Sequence, residues 1–171
     1  LELLAAFARL ARTRPDAQLV FVGDGPLRGE VAAAVDREGL ASRVHLLGLR
    51  RDVPELLRAF DVFALSSRWE GLPRVFPQAM AAGLPIVATR VNGAADAVRD
   101  GVTGYLVDVG DASALAARLA VMAADPAQAR AMGAAGRAAT RSLRVPAHRA
   151  FALKLSPVLV IARRVARHDR L

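Results

Sequence analysis

Residue types able to do chemistry gather where short apolar runs end. Ser66-Ser67-Arg68-Trp69-Glu70-Gly71-Leu72-Pro73 follows the apolar run 62–65 and opens a helix-period stretch at Arg74. Gly71 leaves backbone amides accessible, and Pro73 pre-sets a first helical turn. The free amides of Arg74, Val75 and Phe76 then point out of a helix N-terminus, a place for an anionic oxygen such as a phosphate. Glu70 is unsuited to phosphate, because like charges repel; its carboxylate suits the hydroxyls of a sugar or ribose. A Glu70 that merely caps or solvates the helix start is an equally ordinary reading.

Three further segments stand at equivalent places. Gly23-Asp24-Gly25-Pro26 follows the run 19–22, Gly48-Leu49-Arg50-Arg51-Asp52 follows 44–47, and Thr89-Arg90-Val91-Asn92-Gly93 follows 86–88. Gly-Asp-Gly-Pro alone is a weak signal. It lacks the Lys-Ser/Thr of a phosphate loop and the third glycine of a dinucleotide fingerprint. A tight turn into a helix explains it as well.

The elements that must position these segments alternate in hydrophobic period. Leu19-Val20-Phe21-Val22, Val44-His45-Leu46-Leu47, Val62-Phe63-Ala64-Leu65, Ile86-Val87-Ala88 and Tyr105-Leu106-Val107 read as buried parallel strands. Leu3, Leu4, Phe7 and Leu10 share one face of an opening helix; Leu27, Val31, Ala34 and Val35 share one face of a second. Residues 53–60 and 74–82 make a third and a fourth, and Leu115, Leu119 and Met122 line a later one. Asp125-Pro126 supplies an N-cap and a first-turn proline for another. This alternation predicts an α/β fold, a doubly wound Rossmann-like parallel sheet with ligands beyond the carboxyl ends of its strands. Such a sheet begins with its central strand, yet the pattern begins with a helix. The first strand is therefore expected to be lacking, with its two neighbours left with unpaired edges or forced together.

Composition narrows the classes. The 171 residues suffice for one domain with a real core, and 54% hydrophobic content argues against disorder. No apolar run reaches the ~20 residues of a membrane span. With no cysteine, disulfides and Cys-based zinc sites are excluded. No signal-peptide pattern opens the chain, which favours a soluble cytoplasmic domain, and the opening Leu1-Glu2 without Met suggests a fragment. The net charge of +8 is uneven: residues 1–143 carry 17 Arg against 15 acids, whereas 144–171 carry six Arg and Lys154 against one Asp. A basic tail on a near-neutral body, with few aromatics between the charges, speaks against nucleic-acid binding. The expected organisation is a body over 1–143 and a basic, partly apolar tail over 144–171. His45 falls within a strand and His148 and His168 in the tail, with no acid cluster at metal-ligand spacing, so no metal site is expected.

The run 67–89, Ser67-Arg68-Trp69-Glu70-Gly71-Leu72-Pro73 through Gln78 to Ile86-Val87-Ala88-Thr89, resembles the donor-site signature of retaining glycosyltransferases of the GT-B fold, group 1 or family 4 type. Phe21-Val22-Gly23-Asp24-Gly25-Pro26, Val44-His45-Leu46-Leu47-Gly48, Asp61-Val62-Phe63, Gly93-Ala94-Ala95-Asp96 and 100–107 are similar to that family in the expected order. The resemblance covers residues 1–142 and implies the C-terminal, donor-binding half. It implies that Glu70 faces the donor sugar as the catalytic carboxylate. Gly23, Asp24, Gly25, Gly71, Leu72, Arg74 and Val75 would surround the nucleotide diphosphate, with Arg50 and Arg51 near the base. Gln78 stands where relatives hold the ribose hydroxyls with a second glutamate; an amide is the weaker acceptor, so weaker ribose binding is expected. The implied substrate is a nucleotide-diphosphate sugar, with no cofactor.

Relatives also bind the diphosphate with an Arg and a Lys upstream of the first helix, and their acceptor domain is N-terminal; this sequence shows neither. The 171-residue chain is therefore expected to lack transferase activity by itself. Its implied partners are the missing N-terminal domain and an acceptor saccharide or lipid-linked saccharide. Val145 to Leu171 does not resemble the family's C-terminal segment. Its Phe151, Leu155, Val158, Leu159, Ile161 and Val165 among arginines suit either peripheral contact with an anionic membrane or a divergent end packing on the missing half. The alternative function, motivated by Gln78, is a binding or interaction module that kept the fold and lost the chemistry.

Overall fold

Strand side chains alternate between two faces, and here both faces are apolar, so helices must cover each. The computed structural model describes residues 1–69, 75–142 and 158–162. Its elements run α1 (Glu2–Thr13), β1 (Gln18–Val22), α2 (Arg28–Arg37), β2 (Val44–Leu46), α3 (Val53–Arg58), β3 (Val62–Leu65), α4 (Val75–Ala82), β4 (Ile86–Thr89), α5 (Ala94–Ala97), β5 (Gly104–Val107), α6 (Ala112–Ala124), α7 (Pro126–Ser142) and β6 (Val158–Ala162). Leu19, Phe21, Val62, Ala64, Val87 and Val107 point to one face and pack under α1, α2 and α6. Phe63, Leu65, Ile86, Ala88 and Leu106 point to the other, under α3, α4 and α5. The sheet is doubly wound. Phe63 and Phe76 meet edge to face at 5.9 Å, a pairing that contributes about 1 kcal/mol beyond burial.

The strand order is β2-β1-β6-β3-β4-β5. Pairs β1–β2, β3–β4 and β4–β5 are parallel, in two blocks. The expected gap at the centre is not what the structure shows. The edges of β1 and β3 are neither unpaired nor in contact, because β6 lies antiparallel between them. Leu19 pairs with Ile161, Val20 with Val160 and Phe21 with Leu159; across β6, Val62 pairs with Ile161 and Ala64 with Leu159. A five-residue apolar stretch of the tail thus completes the sheet. The physical reason is that two buried edges in mid-sheet leave rows of N–H and C=O groups that water cannot reach.

Helix α1 is held by the residue that precedes β2. The Arg43 guanidinium donates to the carbonyls of Ala11 (2.9 Å), Arg14 and Ala17, and lies 5.5 Å from the Phe7 ring centroid. Further along the chain, Asp125 caps α7, accepting from the Ala127 and Gln128 amides at 3.0 Å each. Helix α7 in turn closes the end of α4: Arg137 donates to the carbonyls of Ala81 (3.1 Å) and Ala82 (2.8 Å). The start of α4, where the candidate site lies, is therefore set from its far end.

Candidate functional site

The loops after β1, β2, β3 and β4 share the carboxyl edge of the sheet. Gly23 takes φ 127°, a conformation suited to glycine, and its N–H donates to the Gly48 carbonyl at 2.8 Å. This bond ties the loop after β1 to the loop after β2. Asp24 Oδ1 accepts from the Gly25 amide at 2.8 Å, and its other oxygen lies 3.8 Å from the Arg28 guanidinium. The same guanidinium comes within 2.9 Å of where a Cβ on Gly48 would sit, and Gly48 has φ 65°. Arg28 thus stands over both loops. Leu27, expected on the buried face of α2, is instead 47% exposed, because it precedes the helix as its N-cap.

In the loop after β2, Arg50 is engaged locally. Its Nε donates to Asp52 Oδ1 at 2.8 Å, and a second nitrogen reaches Oδ2 at 2.5 Å. The hydrogen bond from Arg50 holds the Asp52 carboxyl below the ordinary value of 3.8, and the same bond raises the Arg50 guanidinium above its own. Arg51 is exposed beside it, and Leu49 is 68% exposed.

The loop after β3 is anchored on two sides. The buried Thr89 hydroxyl donates to the Ser67 carbonyl at 2.6 Å, joining the exits of β3 and β4. Arg68 Nε donates to Glu2 at 3.0 Å, joining the same loop to the start of α1. Trp69 stands 80% exposed. Glu70, Gly71, Leu72 and Arg74 lie outside the described residues. Val75 is buried at the start of α4, which leaves its side chain unavailable to a ligand. Gln78 is half-buried one turn further on, and its amide makes no hydrogen bond among the described residues.

Among the described residues no three metal-ligating side chains converge, and His45 Nε2 is paired with Gln18 Oε1 at 3.0 Å. No described helix is long and apolar enough to cross a membrane. A cavity of about 290 Å³ lies at the opposite, amino edge of the sheet, lined by Arg14, Asp16, Arg58, Asp61 and Pro85 among others. It is remote from the loops described above, and ligands of open α/β sheets bind at the carboxyl edge. Sequence reasoning missed Arg28 and the Thr89–Ser67 bond. The i,i+4 spacing of Asp24 and Arg28 was the available signal for the first; the second joins residues 22 apart and has none.

The sequence pattern of the family described as "Glycosyl transferases group 1" matches residues 1–125. The chain belongs to that family. A GDP-mannose-dependent alpha-(1-6)-phosphatidylinositol monomannoside mannosyltransferase of Mycolicibacterium smegmatis is 38% identical to this glycosyltransferase domain over 146 residues, 79% of the chain and 38% of the relative. The Anabaena protein Alr3699/HepE, solved in complex with UDP-glucose, superposes with a TM-score of 0.76 at 31% identity, over 82% of this chain and 40% of that one. The C-terminal domain of a group 1 glycosyl transferase, LpcC of Francisella tularensis, superposes at 0.76 and 22% identity over 84% of this chain and 77% of that one, showing a common fold. The glycosyltransferase domain described here is thus of the C-terminal GT-B type. It spans from 18% to 38% of the lengths of the curated relatives compared.

Proposed function

We propose that this domain is the donor-binding half of a retaining, hexosyl-transferring glycosyltransferase, and that its ligand is a nucleotide-diphosphate sugar. The observation that carries the reading is the shared carboxyl edge, where the loops after β1 and β2 are bonded through Gly23 and Gly48 and those after β3 and β4 through Ser67 and Thr89. The 31%-identical Anabaena protein with UDP-glucose bound supports the ligand class.

In this reading the diphosphate lies against the amides of Gly71 to Val75, where a helix N-terminus lowers the cost of the charge developing on the leaving group. Arg74 adds a cation there, and Leu72 contributes apolar contact. Glu70 faces the sugar hydroxyls as the catalytic carboxylate. Gly23, Asp24 and Gly25 form the adjoining wall, and Gln78 meets the ribose hydroxyls. Arg51 reaches the base more readily than Arg50, whose charge Asp52 already engages. No metal or other cofactor is required, the acceptor is a saccharide or lipid-linked saccharide, and the setting is cytoplasmic. Transfer itself needs groups outside this chain.

Calorimetry of the 171-residue chain with UDP-, GDP- and ADP-glucose tests the reading. Saturable binding of one of the three, weakened at least tenfold in E70Q or R74A, is expected, without sugar transfer. No binding of any of them would overturn the donor-site reading and favour an interaction module, to which Gln78 in place of an acidic residue already points.

A further inference from the structure

The loops after β1 and β2 form one surface, because the Gly23 N–H donates to the Gly48 carbonyl at 2.8 Å. Over 23–28 and 48–52 the only side chains able to accept a hydrogen bond are those of Asp24 and Asp52. Both face arginine. Asp52 is bonded to Arg50, and Asp24 lies 3.8 Å from the Arg28 guanidinium while its other oxygen takes the Gly25 amide. At 3.8 Å the Asp24–Arg28 contact is an ion pair without a hydrogen bond, so the Arg28 N–H donors stay available. The guanidinium is nonetheless placed. It leans over Gly48, where a Cβ would come within 2.9 Å of Nη1, so a side chain at 48 would displace it. Leu27 and Leu49, the chain neighbours of Arg28 and Gly48, are apolar and exposed. A planar cation with free donors, apolar neighbours and no free acceptor at hand suits the edge of a flat heterocycle that bears carbonyl oxygens.

We propose that Arg28 reads the nucleobase of the donor, and that it selects uracil or guanine, which present exocyclic carbonyls, over adenine, which presents an amino group. This rests on the reading of the carboxyl edge as the donor site and names the class of base that site takes. Guanine offers O6 and N7 to a guanidinium as a pair of acceptors, and uracil offers its O2 and O4 carbonyls. Adenine offers N7 but sets the N6 amino group beside it, a donor against a donor. No side chain of either loop is free to accept from that amino group, since Asp24 and Asp52 are both engaged. Arg51, exposed in the loop after β2, adds donors of the same kind.

Calorimetry with UDP, GDP and ADP on the parent chain, R28A and R28K tests this. The three nucleotides share ribose and diphosphate, so only the base differs. The parent is expected to bind UDP or GDP at least ~5-fold more tightly than ADP. R28A should bring that ratio to about one, weakening the preferred nucleotide and sparing ADP; R28K, which keeps the charge and loses the planar fork, should do the same. An equal loss with all three nucleotides in R28A would make Arg28 a phosphate contact or a brace between the loops, and would overturn the proposal. So would a preference that R28K retains in full, or a parent that favours ADP. A parent that binds none of the three would overturn the donor-site reading itself, and this proposal with it.

Discussion

Gly133 of α7 rests directly on the backbone of Gly83, at the end of α4: a Cβ at position 133 would lie 1.9 Å from the Gly83 carbonyl oxygen. No side chain fits there. Gly83 itself has φ 80° as it turns the chain out of α4. Because Arg137 closes the same helix end, α4 is located by α7, and so is its start at the carboxyl edge of the sheet.

G133A is therefore expected to destabilise the fold by ~1–3 kcal/mol, the range for overpacking a closed contact. Gly136, one turn on, is different: its Cβ would meet the Met80 side chain at an ordinary 3.6 Å. G136A is expected to be neutral or to stabilise by up to ~1 kcal/mol through helix propensity. Urea unfolding of the two variants, followed by circular dichroism, checks the contrast; equal effects would refute the close packing of α7 on α4.

T89V removes the donor to the Ser67 carbonyl while keeping the shape of the side chain. A loss of ~1 kcal/mol is expected, the usual net worth of such a bond. The more specific readout is hydrogen exchange, which should quicken at residues 66–69 and leave β2 and α6 unchanged.

Asp52 gives a pH dependence whose sign is fixed by its lowered pKa. A carboxyl that titrates lower in the folded chain contributes stability in full above its unfolded value, near 3.8, and loses it as pH falls through the folded value. D52N should therefore lower the urea midpoint at pH 7 and behave like the parent by pH ~2. A difference that persisted unchanged at the acid end would rule out the ion pair with Arg50 as its cause.

Q78E tests the ribose end of the proposed donor site. A carboxylate accepts from hydroxyls about 1 kcal/mol better than an amide, so the nucleotide sugar should bind ~5-fold more tightly. Q78A should bind less tightly than the parent. Calorimetry that finds all three alike would place Gln78 away from the ligand.

The parts of this fold legible in the sequence are those whose signal is local. β1, β3 and β4 are short β-branched runs buried on both faces, and the runs 19–22, 62–65 and 86–88 mark them to within a residue. α7 is announced by Asp125-Pro126. α5, only Ala94–Ala97 behind Gly93 at φ 79°, is too short to show a period. β6 carries no local sign of its destination: Val158 to Ala162 is apolar, but so is much of the tail around it. Its place follows from what β1 and β3 lack, which is a property of strands far away in sequence. The candidate site divides in the same way. Its loops follow strand ends and could be listed from the sequence. The bonds that gather them, Gly23 to Gly48 and Thr89 to Ser67, are tertiary and have no spacing rule.

The pairing of Gln18 with Ala162 has a temporal consequence. These residues stand about 140 positions apart, and pairings so distant form late, after shorter loops have closed. On the ribosome, β1 and β3 are complete and apolar long before residue 162 has been synthesised. Until residues 158–162 emerge, their pairings with β1 and β3 are absent, so the nascent body's demand for chaperones should fall once they do.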